Sequence, residues 1–295
     1  MELHTTPGTI DDLVADAARA GYSIRSRMLR DWVECGLLDY PQRRPAGRGQ
    51  GSQQALYSAN QRNLLQNLLH HRRTNGIRSL ARLPVFVWTY YGDEFVPTSQ
   101  ALRAINTWLG DSRSSLRKAR HSAAEILARL DTPHASPAAR RDLVDTLADI
   151  AYTGRADYPR LEQAIRNVFE PDFQTIRRAV GHPAAPMTTQ SMIDTIRARV
   201  TAATRLKAND VSEDEFRTAR HVHLVTYSQY ARGHRELTAA APKDASPLYD
   251  AATIENSLAN CCTNLLTTLG LVAMHPERTS AVAAIPAPTF TFQVG

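Results

Sequence analysis

Lysine is nearly absent from this 295-residue chain, with three against 32 arginines. Such a preference fits a GC-rich genome, so where the arginines cluster says more than their type. Cysteine is scarce too. Cys35, Cys261 and Cys262 are too few and too badly spaced for a disulfide framework, and neighbouring cysteines do not easily bridge each other. They are expected to be reduced thiols with packing roles. No uninterrupted apolar run approaches the ~18–20 residues that cross a bilayer. The first residues, Met1 to Pro7, lack the charged and apolar regions of a signal peptide. These absences lead to the expectation of a soluble, cytoplasmic protein with no membrane partner.

The motifs of catalysis are missing as well. The chain has no glycine-rich phosphate loop, no Gly-x-Ser-x-Gly and no His-Glu-x-x-His. Its densest acidic stretch, Glu213-Asp214-Glu215, falls at an expected helix start, where the helix dipole favours negative charge. His221-x-His223 and His234 suggest metal ligands, but helical residues two apart point about 200° away from each other. His70-His71 fails for the same reason. No enzyme activity, metal site or cofactor is therefore expected.

What is present is a concentration of positive charge. The net charge is +6. Residues 21–90 hold eleven arginines against three acidic residues, for a local +8, and the 205 residues after position 90 carry only +1. A basic block on an otherwise near-neutral chain is the electrostatic footprint of a polyanion partner.

The apolar pattern is helical almost throughout. Thr9-Ile-Asp-Asp12 is a capping signal and opens a helix with Ile10, Leu13, Val14 and Ala17 on one face, ending near Gly21. A second helix covers about Ser26 to Cys35, with Met28, Leu29, Trp32 and Val33 inward. Gly36 is placed to terminate it at positive φ. Residues 39–54 have two prolines, three glycines and no apolar period, so they form a loop with strand character only at its edges. Ser58-Ala-Asn-Gln61 is read as a capping box for a helix with Leu64, Leu65, Leu68 and Leu69 inward. The apolar segment Ile77 to Tyr90 is expected to kink or end at Pro84. Further helices are expected on either side of Gly110 within 96–130, and at about 137–153, 157–169, 171–180, 188–206, 212–240 and 248–274. The tail from Ile285 is expected to be extended. The aromatic run Phe86 to Tyr91 is read as a junction between the N-terminal part and the helical remainder. Cys261 and Cys262, in an apolar helix, are read as core.

Residues 22–58 combine these features into a DNA-reading arrangement. In a helix-turn-helix the second helix enters the major groove and its N-terminal residues reach base edges. Here that end carries Arg25, Ser26 and Arg27, with Arg30 one turn on. Arginine pairs bidentately with guanine and also neutralises phosphate. Arg43, Arg44 and Arg48 lie in the loop, where they can track a neighbouring backbone, and Tyr57 is placed to donate its hydroxyl to a phosphate.

The ordered set Leu29-Arg30-x-Trp32-x-x-x-Gly36-Leu37-Leu38, a variable loop, Leu56-Tyr57-Ser58 and a leucine-rich helix resembles the winged-helix domain of the MerR family. The resemblance covers about residues 9–92. It implies that Arg30 contacts phosphate, that Arg25 and Arg27 face the groove, and that Arg43, Arg44, Arg48 and Tyr57 belong to the wing. Asp31, Trp32 and Val33 depart from the usual Tyr-Tyr-Glu, and Gln53-Gln54 stands where the family often has Tyr-Arg. The cobalamin-binding Asp-x-His-x-x-Gly pattern of some members is absent.

The expected fold is mainly α: an N-terminal winged helix-turn-helix over residues 1–92, an all-helical oligomerisation or effector domain over 93–285, and an extended tail over 286–295. The expected function is sequence-specific regulation of transcription by a nucleoid-associated dimer or higher oligomer on double-stranded DNA. A small molecule or protein is the expected kind of effector for the helical domain. The rival reading is an architectural or plasmid- or phage-maintenance protein that assembles cooperatively on DNA and senses nothing.

Overall fold

The computed structural model describes residues 3–45, 52–72, 76–110, 115–128, 135–169, 189–238 and 254–290. It is mainly helical, with one two-stranded sheet among the described residues. Two compact units emerge. The first comprises Met1–Gly110 with Leu258–Cys262, and the second Asp111–Ser257 with Thr263–Gly295.

The first unit begins with α1 (Ile10–Arg19) and α2 (Ser26–Glu34). The Thr9–Asp12 capping box forms: Asp12 N–H donates to Thr9 Oγ1 at 3.2 Å and Thr9 N–H to Asp12 Oδ2 at 2.7 Å. At the end of α2, Gly36 takes φ +72°. Gly36 N–H donates to Val33 O at 3.0 Å and Leu37 N–H to Trp32 O at 2.9 Å. These two bonds satisfy the last carbonyls of the helix and turn Leu37 and Leu38 into the core. Both leucines are fully buried, as are Leu13, Ala17 and Leu29.

Strands β1 (Gln42–Pro45) and β2 (Ser52–Leu56) pair antiparallel. Gln42 lies opposite Leu56, whereas Arg44 lies opposite Gln53, so β2 carries one extra residue between these pairs. Such a bulge bends and further twists a hairpin. Helices α3 (Ala59–Arg72), α4 (Ile77–Leu80), α5 (Arg82–Tyr91) and α6 (Thr98–Leu109) complete the run to Gly110.

Three expectations change here. Pro84 neither kinks nor ends its helix. The break falls earlier, at Ala81, and Pro84 sits in the first turn of α5, where the missing N–H would have had no intrahelical partner. The Ser58–Gln61 box forms only by half. Gln61 N–H donates to Ser58 Oγ at 3.2 Å, but the Gln61 side chain turns inward, accepting from Asp39 N–H at 2.8 Å and donating to Gln100 Oε1 at 2.7 Å. The compact unit also runs past residue 92 and takes in α6. Gln100 donates to Leu37 O at 3.1 Å, Thr107 to Cys35 O at 2.8 Å, and Arg103 pairs with Asp39 at 3.0 Å. The aromatic run supplies core to this unit. Trp88 is fully buried, and its indole N–H donates to Asp93 Oδ1 at 2.7 Å.

The second unit contains α7 (Leu116–Ala128), α8 (Pro137–Thr153), α9 (Tyr158–Phe169), α10 (Thr189–Lys207), α11 (Glu213–Thr238), most of α12 (Ile254–Met274) and α13 (Pro276–Ala283). Leu143, Leu161, Ile165, Val168 and Ile193 form part of one buried cluster. The Ser212–Glu215 capping box forms at the head of α11, with Glu215 N–H donating to Ser212 Oγ at 3.2 Å and Ser212 N–H to Glu215 Oε2 at 3.0 Å. Helix α13, with Pro276 in its first turn, has no counterpart in the sequence reading. The helix expected over 171–180 and the distal tail from residue 291 lie outside the described residues.

Helix α12 is more apolar than its uninterrupted runs suggest. It has 21 residues and an apolar window of mean hydropathy 1.3, enough by length and composition to cross a bilayer. Asn260, Thr263, Asn264 and Thr267 interrupt its apolar residues, which hides the helix from a search for continuous runs. Leu265, Leu266 and Leu269 are buried. A Cβ on Gly270 would stand 1.9 Å from Ala198 O, so α10 and α12 pack there backbone to backbone.

Candidate nucleic-acid interface

The geometry of α2 follows from its two faces. Leu29, Trp32 and Val33 are buried, while Arg27, Arg30, Asp31 and Glu34 are exposed. The outer face is therefore basic near the N-terminus and acidic near the C-terminus. This arrangement opposes the helix dipole, which favours acids in the first turn and bases in the last. Helix α1 follows the favourable rule, with Asp11 and Asp12 in its first turn; α2 has no acidic residue in its first turn. Arg25 occupies the N-cap position at extended φ and ψ and makes no side-chain cap bond. Ser26 is half-buried and Arg25 exposed.

On the hairpin, Arg43 and Arg44 are both exposed, and as neighbours in a strand they point to opposite faces. Arg44 Nε donates to Gln54 O at 3.3 Å, which fixes its stem along the strand pair. Arg48 lies outside the described residues.

Tyr57 is placed differently from expectation. It is 3% exposed, and its backbone bridges to Gly8, with Tyr57 N–H donating to Gly8 O at 2.8 Å and Gly8 N–H to Tyr57 O at 3.0 Å. Burial pushes its phenol above the ordinary value, against the opposing positive charge of Arg30. The residue is thus buried within reach of the charge of Arg30 and is not an exposed side chain.

The arginines of this surface are exposed and close together in sequence. Among the described residues, Arg25, Arg27, Arg30 and Arg43 form no ion pair. Some arginines elsewhere do, such as Arg120 with Asp145 at 2.9 Å, Arg166 with Glu162 at 2.7 Å, Arg205 with Glu215 at 2.9 Å and Arg217 with Glu213 at 2.7 Å. The exposed Arg72, Arg141 and Arg155 likewise form none among the described residues; what sets this surface apart is that its unpaired arginines are neighbours. An exposed cation with no internal counter-charge remains available to an external anion.

A second group of residues, missed by sequence reasoning, holds the platform. The Asp16 side chain is fully shielded and accepts from Arg62 Nε at 2.8 Å and from Arg62 Nη2 at 2.9 Å. Arg19 also contacts it, and His4 Nε2 lies 3.3 Å away. Burial pushes the Asp16 carboxyl up, but the bonds and charge of Arg62, with His4 and Arg19, hold it below its ordinary value. Arg62 Nη1 also donates to Thr6 O at 3.0 Å. His4 N–H donates to Asn63 Oδ1 at 2.8 Å, and Asn63 Nδ2 donates back to His4 O at 3.0 Å. The N-terminal arm is thereby fastened across α3. The available signal was a buried-face aspartate in α1 and an arginine within the leucine stripe of α3, 46 positions apart.

Of the other candidates, His223 is buried and His221 is half-buried, its Nε2 2.7 Å from Ile285 O. The side chain of His234 is outside the described portion. Among the described residues no group of three or more metal-binding side chains converges. Cys261 and Cys262 are fully buried with sulfurs 3.9 Å apart, and burial raises the Cys262 thiol well above its ordinary range.

Comparisons with models of known protein families, with curated proteins and with solved structures find no match.

Proposed function

We propose that this chain is a sequence-specific double-stranded-DNA-binding regulator of transcription, with α1, α2 and the β1–β2 hairpin acting as a winged helix-turn-helix of MerR type. The observation that carries this reading is the set of exposed, unpaired arginines on one helix end and the adjoining hairpin. Arg25 and Arg27 reach base edges in the major groove, with Ser26 beside them. Arg30 contacts phosphate, and the buried Tyr57 ties the end of the hairpin to the N-terminal arm through Gly8. Arg43, Arg44 and Arg48 follow the flanking backbone. Two copies bind two half-sites about one helical turn apart.

The acidic half of the outer face of α2 supports the same docking. Asp31 and Glu34 repel phosphate, so they disfavour laying the whole helix flat on the backbone and favour entry by its N-terminal end.

The test is a mobility-shift and footprinting experiment on genomic fragments bound by the intact chain. Arg27→Ala and Arg30→Ala are each expected to weaken specific binding by ~1–3 kcal/mol. Unchanged affinity in the double variant would overturn the docking. A footprint of fixed length supports the regulator; protection that spreads with protein concentration would instead support the cooperative architectural protein.

A further inference from the structure

Among the described residues of the second unit, an arginine of α10 has no counter-charge. Arg199, on α10, is half-buried. Its Nε donates to Thr267 Oγ1 on α12 at 2.8 Å. That hydroxyl in turn donates to Thr263 O at 2.9 Å, so its hydrogen is committed and its lone pair fixes the guanidinium plane. The bond lies one helical turn from the close approach of Gly270 to Ala198, which holds the two helices at a set separation.

No carboxylate among the described residues approaches Arg199, and its two terminal amino groups make no hydrogen bond there. Neither is sealed in the interior as an orphan donor, unlike the Nε of Arg82, Arg103 and Arg197. Burial holds the guanidinium below the ordinary arginine value, with no nearby charge acting on it. On the same helix, Arg205 is instead satisfied by Asp210 and Glu215, and Arg197 lies over the Tyr158 ring at 4.6 Å. Removing charge from water without a partner is costly, and the cost falls when an anion is bound.

We propose that Arg199, oriented by Thr267, is an oxyanion-binding site on the second unit that takes the carboxylate or phosphate group of a small molecule. Two terminal N–H groups pointing the same way match two oxygens of such a group, which a lysine ammonium cannot do. The site stands on α10 and α12 alone and does not depend on the DNA-binding reading.

The experiment measures thermal unfolding and isothermal titration of the full chain with inorganic phosphate and with malonate, at constant ionic strength set by chloride. The wild-type chain is expected to show saturable stabilisation by at least one of the two anions, about 5 °C at a hundredfold excess over Kd. The pattern identifies the preferred group. Arg199→Met is expected to lose the shift. Arg199→Lys, which keeps the charge and the fold, is expected to bind at least tenfold more weakly. Thr267→Val is expected to weaken binding several-fold by freeing the guanidinium plane. The Arg27→Ala, Arg30→Ala double variant separates this site from the other basic surface: it must retain the shift. An equal response to chloride, or a shift unchanged in Arg199→Lys, would overturn the proposal. A shift lost in the double variant would overturn it too, whatever that variant does to DNA binding.

Discussion

A Cβ placed on Gly36 would stand 2.4 Å from the backbone nitrogen of Ala104 and 2.7 Å from Arg103 Cβ. The glycine at the end of α2 therefore serves two needs at once: a positive φ of +72° and contact with the backbone of α6. Gly36→Ala is expected to destabilise the first unit by about 2–3 kcal/mol, since the strained φ and the overlap with backbone add. Denaturant unfolding followed by Trp32 and Trp88 fluorescence measures it. A loss below about 0.5 kcal/mol would show that α6 can move away freely.

Asp16→Ala leaves Arg62 with only Thr6 as a hydrogen-bond partner and only the charge of Asp12 acting on it without a bond. Breaking a buried pair from one side costs about 3–5 kcal/mol, and chemical denaturation at neutral pH is expected to show a loss of that order. The wild-type pair also carries a pH signature. The folded carboxyl titrates below its ordinary value, so the unfolded chain binds the proton first as pH falls. Its stabilisation is full above about pH 4 and disappears as pH drops through the folded value. Asp16→Asn should lack that low-pH component.

His223 gives the opposite chemistry with the same direction on the pH axis. Burial, with a contribution from the charge of Arg220, lowers its pKa to about 4. Between about 6.5 and 4 the unfolded histidine is protonated and the folded one is neutral. Stability is thus complete above pH 6.5 and falls with acid by up to roughly 3 kcal/mol. His223→Leu is expected to flatten the profile in that window. Equal slopes for the two proteins, measured by urea unfolding at pH 7, 6, 5 and 4.5, would contradict the burial of a neutral imidazole.

Arg43 is the hairpin arginine with no internal tie, and its proposed partner is a phosphate. Each phosphate neutralised adds about 0.9 to the slope of log affinity against log salt. Arg43→Ala is expected to reduce that slope by about 1 with little change in preference among sequences. A changed sequence preference at constant slope would move Arg43 from the backbone to a base edge.

Local chemistry was legible in the sequence. Thr9-x-x-Asp12 and Ser212-x-x-Glu215 announced helix starts that form with both cap bonds, and Gly36 announced a stop. The arginines of α2 were correctly separated from the inward Leu29, Trp32 and Val33 because a helical period suffices to sort them. Pairings between distant elements were not legible. Gln61 satisfies the pattern of a capping box, yet Asp39 and Gln100 compete for its side chain, and nothing near Ser58 records that. Asp16 and Arg62 look like ordinary surface charges until α1 and α3 are packed. Tyr57 reads the same whether its side chain is exposed or buried. Pro84 shows the limit of a residue-by-residue rule: proline is disruptive only with a turn of helix before it, and the break at Ala81 removes that turn.

The attachment of α6 bears on how the arginine surface can be carried elsewhere. A transplant ending at Gly92, where the family resemblance ends, would leave Leu37 O and Cys35 O without their donors and expose the socket that Ala104 fills at Gly36. Any portable version of this surface therefore extends at least to Gly110, and α6 is as much a part of the grip on α2 as the residues of α2 itself.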